Sequence, residues 1–213
     1  MLSLFLPNRC LLCGQLGPLP WCQTCEQGMP NRPRPVARNG LPAGWAGHDY
    51  AGQVQTLLHW LKSSGSKKLA DQLGRQVRLW LAFLLRATGE PHVVLVPMPS
   101  RPSATKKRGF VPAWLLGQAV ARAMAQARWP GRVTARRLVW YRRQVARQAK
   151  LGSAQRQVNL QWSMLATSAP AGAPPVVLLD DVVTTGATLR EAHRALTAAG
   201  WRVLGFVTFA ETL

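Results

Sequence analysis

Apolar residues follow a helical period in the first patterned part of the chain. The segment 53–62 places four apolar side chains on one helical face, and a similar pattern runs from Leu69 to Leu85 after a Gly-Ser break. His92–Val96 is a β-branched run closed by prolines, which predicts a strand that leads into a loop. A further helix is expected from Pro112 to Ala127.

The last part of the chain alternates between strand and helix patterns. Val176–Leu179 is an unbroken apolar run, which is typical of a strand buried on both faces. A helix is expected from Ala187 to Ala199, stopped by Gly200, and a last strand from Val203 to Phe209. Because strands joined through helices pair in parallel, the pattern predicts an α/β fold with a mostly parallel sheet and flanking helices.

The N-terminal region has a different composition. Residues 1–44 hold all the cysteines and lack a helical period, and the stretch from Met29 to Gly44 is rich in proline, as linkers are. We therefore predict two parts: a small metal-binding module with its linker at 1–44, and the α/β domain at 45–213.

The four cysteines form two pairs of tight spacing, Cys10-x₂-Cys13 and Cys22-x₂-Cys25. Each pair can hold one metal through a turn, and together they complete a tetrahedral thiolate shell for Zn²⁺. Four thiolates leave no open position, so the zinc would be structural. Two disulfides or redox-active pairs are the alternative, which a cytoplasmic location disfavours.

The charge of the chain is strongly positive and unevenly distributed. Lysine and arginine number 27 against 8 acids, a formal net charge of +19. Between Glu90 and Asp180 there is no acidic residue, whereas 14 lysines and arginines fall in that interval. Such a stretch attracts polyanions, with nucleic acid first and phosphate-rich small molecules second.

Arginines and aromatic residues are interleaved after residue 135. Trp140 and Tyr141 lie among five candidate nucleic-acid contacts: Arg136, Arg137, Arg142, Arg143 and Arg147. This composition is typical of proteins that bind single strands, although both rings could instead be packed inside. The tryptophans of the predicted helices fall on apolar faces, where we expect core packing: Trp60, Trp80 and Trp114.

The membrane-insertion signals are weak. No apolar run approaches the roughly 18 residues that span a bilayer, and the N-terminal residues have no basic region of the kind that precedes a signal sequence. We expect a cytoplasmic protein.

The sequence VVLLDDVVTTGATL, Val176–Leu189, carries the clearest chemistry. Asp180 and Asp181 end a buried strand, where open α/β folds bind ligands, and vicinal ribose hydroxyls are donors suited to two carboxylates. The residues that follow open a helix, and their hydroxyl and N–H groups suit a phosphate: Thr184, Thr185, Gly186, Ala187 and Thr188, with Val182 before them. The alternative is that the threonines only cap the helix.

This segment resembles the phosphoribosyl-pyrophosphate (PRPP) signature of type I phosphoribosyltransferases. Further segments are similar to the ComF/GntX competence-protein family, which is related to amidophosphoribosyltransferases: the cysteine quartet, VPMPSRPSATKKRGF at 96–110, and the residues Gln148, Leu151, Arg156 and Asn159. The resemblance covers nearly the whole chain and implies a type I phosphoribosyltransferase fold.

The resemblance also implies roles for particular residues. Asp180 and Asp181 would bind the ribose hydroxyls, with Mg²⁺ possible alongside PRPP, and residues 184–188 would hold the 5′-phosphate. The loop 98–101, with Ser100 and Arg101, would bind pyrophosphate. Charge for the leaving group would come from a basic run, Lys106, Lys107 and Arg108, and residues 136–159 would form a loop that closes over the site.

The family resemblance implies an accessory factor for DNA uptake in natural transformation, which binds single-stranded DNA and PRPP and works with a helicase-like partner. Position 184 departs from purine salvage transferases, which typically have an aspartate there, and Val111-Pro112 replaces the Asn-Gln common in the family. Two alternatives therefore stay open: a metabolic phosphoribosyltransferase with an unidentified acceptor, and a PRPP-sensing regulator, which the lack of a helix-turn-helix pattern disfavours. No catalytic residue is assigned.

Overall fold

The computed structural model describes residues 9–17, 20–29, 31–142 and 162–212. Its helices are α1 (Gln23–Gln27), α2 (Gly52–Ser64), α3 (Lys67–Thr88), α4 (Pro102–Arg108), α5 (Pro112–Gln126) and α6 (Ala187–Ala198). Its strands are β1 (Arg34–Val36), β2 (Gly44–Asp49), β3 (Val93–Pro97), β4 (Val133–Ala135), β5 (Val139–Tyr141), β6 (Met164–Ala166), β7 (Val176–Val183) and β8 (Val203–Glu211).

The larger sheet has the strand order β1-β2-β8-β7-β3-β4. Every neighbouring pair is parallel except β1 with β2, so the prediction of a mostly parallel α/β sheet is confirmed. β5 and β6 form a separate antiparallel ribbon. β7 lies inside the sheet, and its run Val176–Leu179 is fully buried, as an apolar strand with both faces covered should be.

Two apolar cores cover the two faces of this sheet. On one face, α2, α3 and α5 pack with β3, β7 and β8 through side chains such as Leu57, Leu73 and Leu116. On the other, α6 packs with the β5–β6 ribbon through Leu189 and Met164. Because helices cover both faces, the ends of the strands remain the places where a ligand can approach.

The segment predicted to be a linker contains a strand. β1 pairs with β2 at the edge of the larger sheet, so at least residues 34–36 belong to the sheet. Trp21, Cys25 and Met29 are buried in the same core as Leu57 of α2. The division of the chain at residue 44 stays a prediction.

The tryptophans of the helices differ in their surroundings. Trp80 is fully buried, as predicted, and its indole N–H donates to Asn31 Oδ1 at 2.8 Å. The prediction for Trp60 was wrong, because its side chain is 45% exposed. Trp114 is half-buried, and the guanidinium carbon of Arg137 lies 4.5 Å from the centroid of its ring.

Among the described residues, no helix combines the length and the apolar character that a membrane span requires.

Candidate functional site

The candidate site lies at the carboxyl ends of β3 and β7, which are neighbours in the sheet. Pro97 pairs with Leu179, and the N–H of Met98 donates to Leu179 O at 2.8 Å, so the loop 98–101 lies beside Asp180. A cavity of about 240 Å³ opens there. Six of the sequence-predicted residues line it, namely Ser100, Arg101, Arg108, Asp180, Asp181 and Thr188, together with Lys62 and Tyr141.

The two carboxylates of this cavity are held close together. The N–H of Asp181 donates to Asp180 Oδ1 at 2.9 Å. Burial and the neighbouring Asp181 raise the pKa of Asp180 well above its usual value, because a desolvated charge beside a like charge is unfavourable. Asp181 is 8% exposed and ion-pairs with Lys62. A ligand that offers hydroxyl donors would relieve this crowding of negative charge.

Lys62 is a site residue that sequence reasoning missed. It lies near the end of α2, directly after the buried Leu61, and its ammonium group contacts Asp181 Oδ2. Burial favours the neutral amine, but the Asp181 carboxylate outweighs it and raises the pKa of Lys62. The helical pattern marked position 62 only as the end of an apolar face, and no local signal connects it with Asp181.

Replacing Lys62 with alanine should destabilise the protein. Breaking a fully buried ion pair costs about 3–5 kcal/mol. Because the Lys62 side chain is 38% exposed, solvent screening should reduce the loss in free energy of unfolding to about 1–2 kcal/mol. Urea denaturation measures it, with Lys67→Ala at the exposed start of α3 as the control. The double variant K62A/D181N should recover stability, and a K62A protein as stable as wild type would contradict the ion pair's role.

Tyr141 and Trp140 lie on opposite faces of β5, since successive strand residues alternate. Trp140 is 45% exposed, whereas Tyr141 lines the cavity. Burial raises the pKa of Tyr141 to about 12; the nearby Asp180 also raises it, against the opposing effect of Arg101. The Tyr141 hydroxyl therefore keeps its proton at neutral pH and can donate to a ligand. Of the two aromatic residues predicted as candidate single-strand contacts, only Trp140 is exposed.

The basic run after the loop contributes one cation to the cavity. Arg108 lines it, and its Nη2 donates to Ser100 Oγ at 3.2 Å. The Nε of Arg108 is buried and has no hydrogen-bond partner among the described residues. Lys106 and Lys107 are exposed, and neither is among the residues that line the cavity. Arg101 and Arg108 therefore bring positive charge to the cavity that the two aspartates also line.

The turn between β7 and α6 is held by two arginines that the sequence did not indicate. Gly186 is the N-cap of α6 with φ 75°, a conformation that glycine adopts without strain. Arg38 Nε donates to Thr184 O at 2.8 Å, and Arg190 Nη1 donates to Thr185 O at 2.9 Å. Thr188 lines the cavity, while Thr184 is exposed on the outside of the turn.

The described candidate nucleic-acid residues are all exposed and differ in their contacts. Arg137 lies over Trp114 of α5, whereas Arg136 lines a second cavity beside β4. Arg142 is exposed, and its N–H donates to Ser163 O at 2.7 Å. Arg143 and Arg147 lie outside the described residues, as do four residues of the family resemblance, Gln148, Leu151, Arg156 and Asn159.

The four cysteines come together as their spacing predicts. Their Sγ atoms all lie within 4.8 Å of one another, with Cys10 to Cys25 at 3.7 Å and Cys13 to Cys22 at 3.8 Å. These separations exceed a disulfide bond, which is about 2.05 Å long. The cluster is compatible with a structural metal such as zinc.

The environment of Cys10 favours a thiolate. The N–H groups of Leu12 and Cys22 each donate to its Sγ at 3.4 Å. Burial raises the pKa of this thiol, but hydrogen bonds from backbone N–H groups outweigh that effect and lower the pKa of Cys10 to about 6. Burial and the neighbouring cysteines raise the pKa of Cys25 to about 12, so a metal that binds there has to displace a proton, because metal ligands must be deprotonated.

Curated proteins of similar sequence cover almost the full chain. The chain is 28% identical to the DNA utilization protein YhgH of Escherichia coli (strain K12), over 92% of this chain and 94% of that protein. The proteins of the same name from Salmonella typhi and Shigella flexneri are 29% and 28% identical over the same shares. No protein-family model matches the chain.

Proposed function

We propose that this protein binds PRPP in the β3–β7 cavity and single-stranded DNA on its basic surface, as a cytoplasmic accessory factor for DNA uptake. The observation that carries the proposal is the convergence of Asp180, Asp181, Ser100, Arg101 and Arg108 on one cavity. Two carboxylates and two arginines line the same cavity, which suits a ligand that carries both hydroxyls and phosphates.

The chemistry of PRPP explains each wall of the cavity. Asp180 and Asp181 accept hydrogen bonds from the ribose hydroxyls, the loop 98–101 and Arg108 bind pyrophosphate, and Thr188 donates to the 5′-phosphate near the start of α6. The unpartnered Nε of Arg108 gains an acceptor in a bound phosphate oxygen. Mg²⁺ would accompany the pyrophosphate. We also propose the type I phosphoribosyltransferase fold for the α/β domain, which the mostly parallel sheet supports.

The DNA role has separate support. The relatives carry the name DNA utilization protein, and the formal charge of +19 suits a polyanionic partner. A helicase-like protein is the partner we propose from the family resemblance. These arguments do not depend on the cavity, so the two halves of the proposal can be tested independently.

Turnover of PRPP would require a group that activates the acceptor. Thr184 stands where salvage enzymes typically carry an aspartate, and a hydroxyl of ordinary pKa is a poor general base near pH 7. We therefore propose that PRPP serves as a bound ligand. Pyrophosphate release from PRPP, measured with and without DNA, tests this proposal. A protein that only binds PRPP should release no pyrophosphate, whereas a metabolic transferase should release it when an acceptor is present.

Binding to single-stranded DNA should depend steeply on salt. Each phosphate contact contributes about −0.7 to the slope of log K against log salt concentration for a single strand. With four contacts, affinity falls by about 50-fold between 50 and 200 mM salt. Filter binding of a labelled oligonucleotide measures the slope, and absence of binding at low salt would contradict the DNA role.

A further inference from the structure

A second cavity lies beside β4, at the other end of β3 from the candidate PRPP site. Its volume is about 510 Å³, and its floor includes Val93 and Val94 at the start of β3. We call it the β4 groove. Because β3 lies between β4 and β7 in the sheet, Arg132, Thr134 and Arg136 line the side of β4, while Pro170, Ala173, Pro174 and Trp201 line the side of the segments that lead into β7 and β8.

The arginines of the β4 groove are set by the strand itself. Arg132 precedes β4 and Arg136 follows it, and residues two apart along a strand point to the same face. The N–H of Arg132 donates to His92 Nδ1 at 3.1 Å, and the N–H of Arg136 donates to Leu95 O at 2.9 Å. Four steps of about 3.3 Å place their Cα atoms about 13 Å apart along the groove.

The positive charge of the β4 groove is not neutralised by the part of the chain that the structure describes. No carboxylate of residues 9–17, 20–29, 31–142 and 162–212 lies within ion-pair distance of Arg132 or Arg136, although Arg122 and Arg194 both have carboxylate partners. Glu90 ion-pairs with Arg202 instead. Both groove arginines are exposed, so each can bind a phosphate without first breaking an ion pair.

The opposite wall of the β4 groove is apolar and firmly held. The Trp201 indole N–H donates to Thr167 O at 2.7 Å, and the N–H of Ala173 donates to Pro170 O at 3.1 Å. Apolar side chains and two cations that line one groove suit an unpaired base whose flanking phosphates reach the arginines. Duplex DNA would use the cations but not the wall, because its bases are stacked inside the helix.

We infer that the β4 groove holds unpaired bases of single-stranded DNA against the Pro170–Pro174 wall, with Arg132 and Arg136 on the flanking phosphates. This inference rests on the proposed function and assigns the DNA contact within it. Compared with the nucleic-acid contacts predicted from the sequence, it adds Arg132 and the residues of the Pro170–Pro174 wall. It leaves out Arg137, because the guanidinium of Arg137 lies over the ring of Trp114. Because the groove and the PRPP cavity lie at opposite ends of β3, both ligands can be bound at once.

The double variant R132A/R136A tests the cationic side. We expect its affinity for a single-stranded oligonucleotide to fall about tenfold or more, and its salt slope to shrink by about 1.4, the contribution of two phosphate contacts. The matched control is R75A/R86A, two exposed arginines of α3 that remove the same charge elsewhere. PRPP binding should be unchanged in both variants, which shows that they are folded.

Ala173→Phe tests the apolar wall without changing the charge. This variant should bind the normal oligonucleotide more weakly and an abasic oligonucleotide as wild type does. Equal losses of oligonucleotide affinity in R132A/R136A and R75A/R86A would overturn the inference. An Ala173→Phe variant that binds both oligonucleotides as wild type does would also overturn it. The DNA role itself would stand in either case. A wild-type protein that binds no DNA at low salt would remove the DNA role as well.

Discussion

Asp180→Asn should stabilise the protein at pH 7 and weaken its binding of PRPP. The pKa of Asp180 is raised in the folded state by burial and by Asp181. Between the unfolded and the folded pKa, the folded state holds a proton that the unfolded chain has released, so stability falls as pH rises through this window. Asparagine carries no charge and avoids that loss. The free energy of unfolding of the variant should therefore increase relative to that of wild type as pH rises from 4 to 7.

The two effects of Asp180→Asn can be measured on one preparation. A gain of 1 kcal/mol raises the melting temperature of a chain of this size by about 2–4 °C. Loss of hydrogen bonds from ribose hydroxyls to a carboxylate, at about 1.5–3 kcal/mol, should weaken PRPP binding by about 10- to 100-fold in calorimetry. Asp71→Asn, at an exposed ion pair of α3 with Arg122, is the control and should leave PRPP binding unchanged. Unaltered PRPP affinity in D180N would refute the assigned site.

We infer that the four-cysteine cluster binds zinc, and loss of that zinc should cost the most stability. Cys13→Ser removes one thiolate of the cluster, and structural zinc contributes about 10–16 kcal/mol to the folding of small zinc peptides at pH 7. Trp21 and Met29 are buried in the same core as Leu57 of α2, so unfolding of the N-terminal region also uncovers α2. We expect the variant to be isolated without zinc and to melt well below wild type.

The control for the metal centre is Gln23→Ala, an exposed position of α1 inside the same region. It should retain zinc and the wild-type melting temperature, while a chelator added to wild type should reproduce the C13S result. Purified wild-type protein without bound metal would contradict the zinc assignment.

The regular elements were predictable where one face is consistently apolar. The helices expected from residue 53, residue 69 and residue 112, and the strand at Val176–Leu179, all occur, because burial of a continuous apolar face decides these elements locally. The helix α4 was missed, since it has no buried residue and therefore no apolar period. The proline-rich stretch around β1 predicts a linker instead of a strand; Pro35 is tolerated there because β1 is an edge strand.

The candidate site was predictable in part for a similar reason. Parallel strands carry their carboxyl ends to one edge, so the neighbours β3 and β7 had to bring the loop 98–101 close to Asp180 and Asp181. Lys62 and Tyr141 come from α2 and from the β5–β6 ribbon, whose positions depend on packing between distant segments. Their own sequence surroundings indicate only the end of a helix and a pair of aromatic residues among arginines.

By itself, the sequence determined the α/β class, the cysteine cluster and the carboxylate pair, because each depends on residues close together in the chain or on a local apolar period. Tertiary structure alone decided which charges meet. It paired Asp181 with Lys62, directed Arg137 to Trp114, and brought Arg132 and Arg136 to the cavity that Pro170 and Pro174 also line. Coulombic and stacking contacts act over a few ångströms in space whatever the separation in sequence, and therefore only the folded chain reveals them.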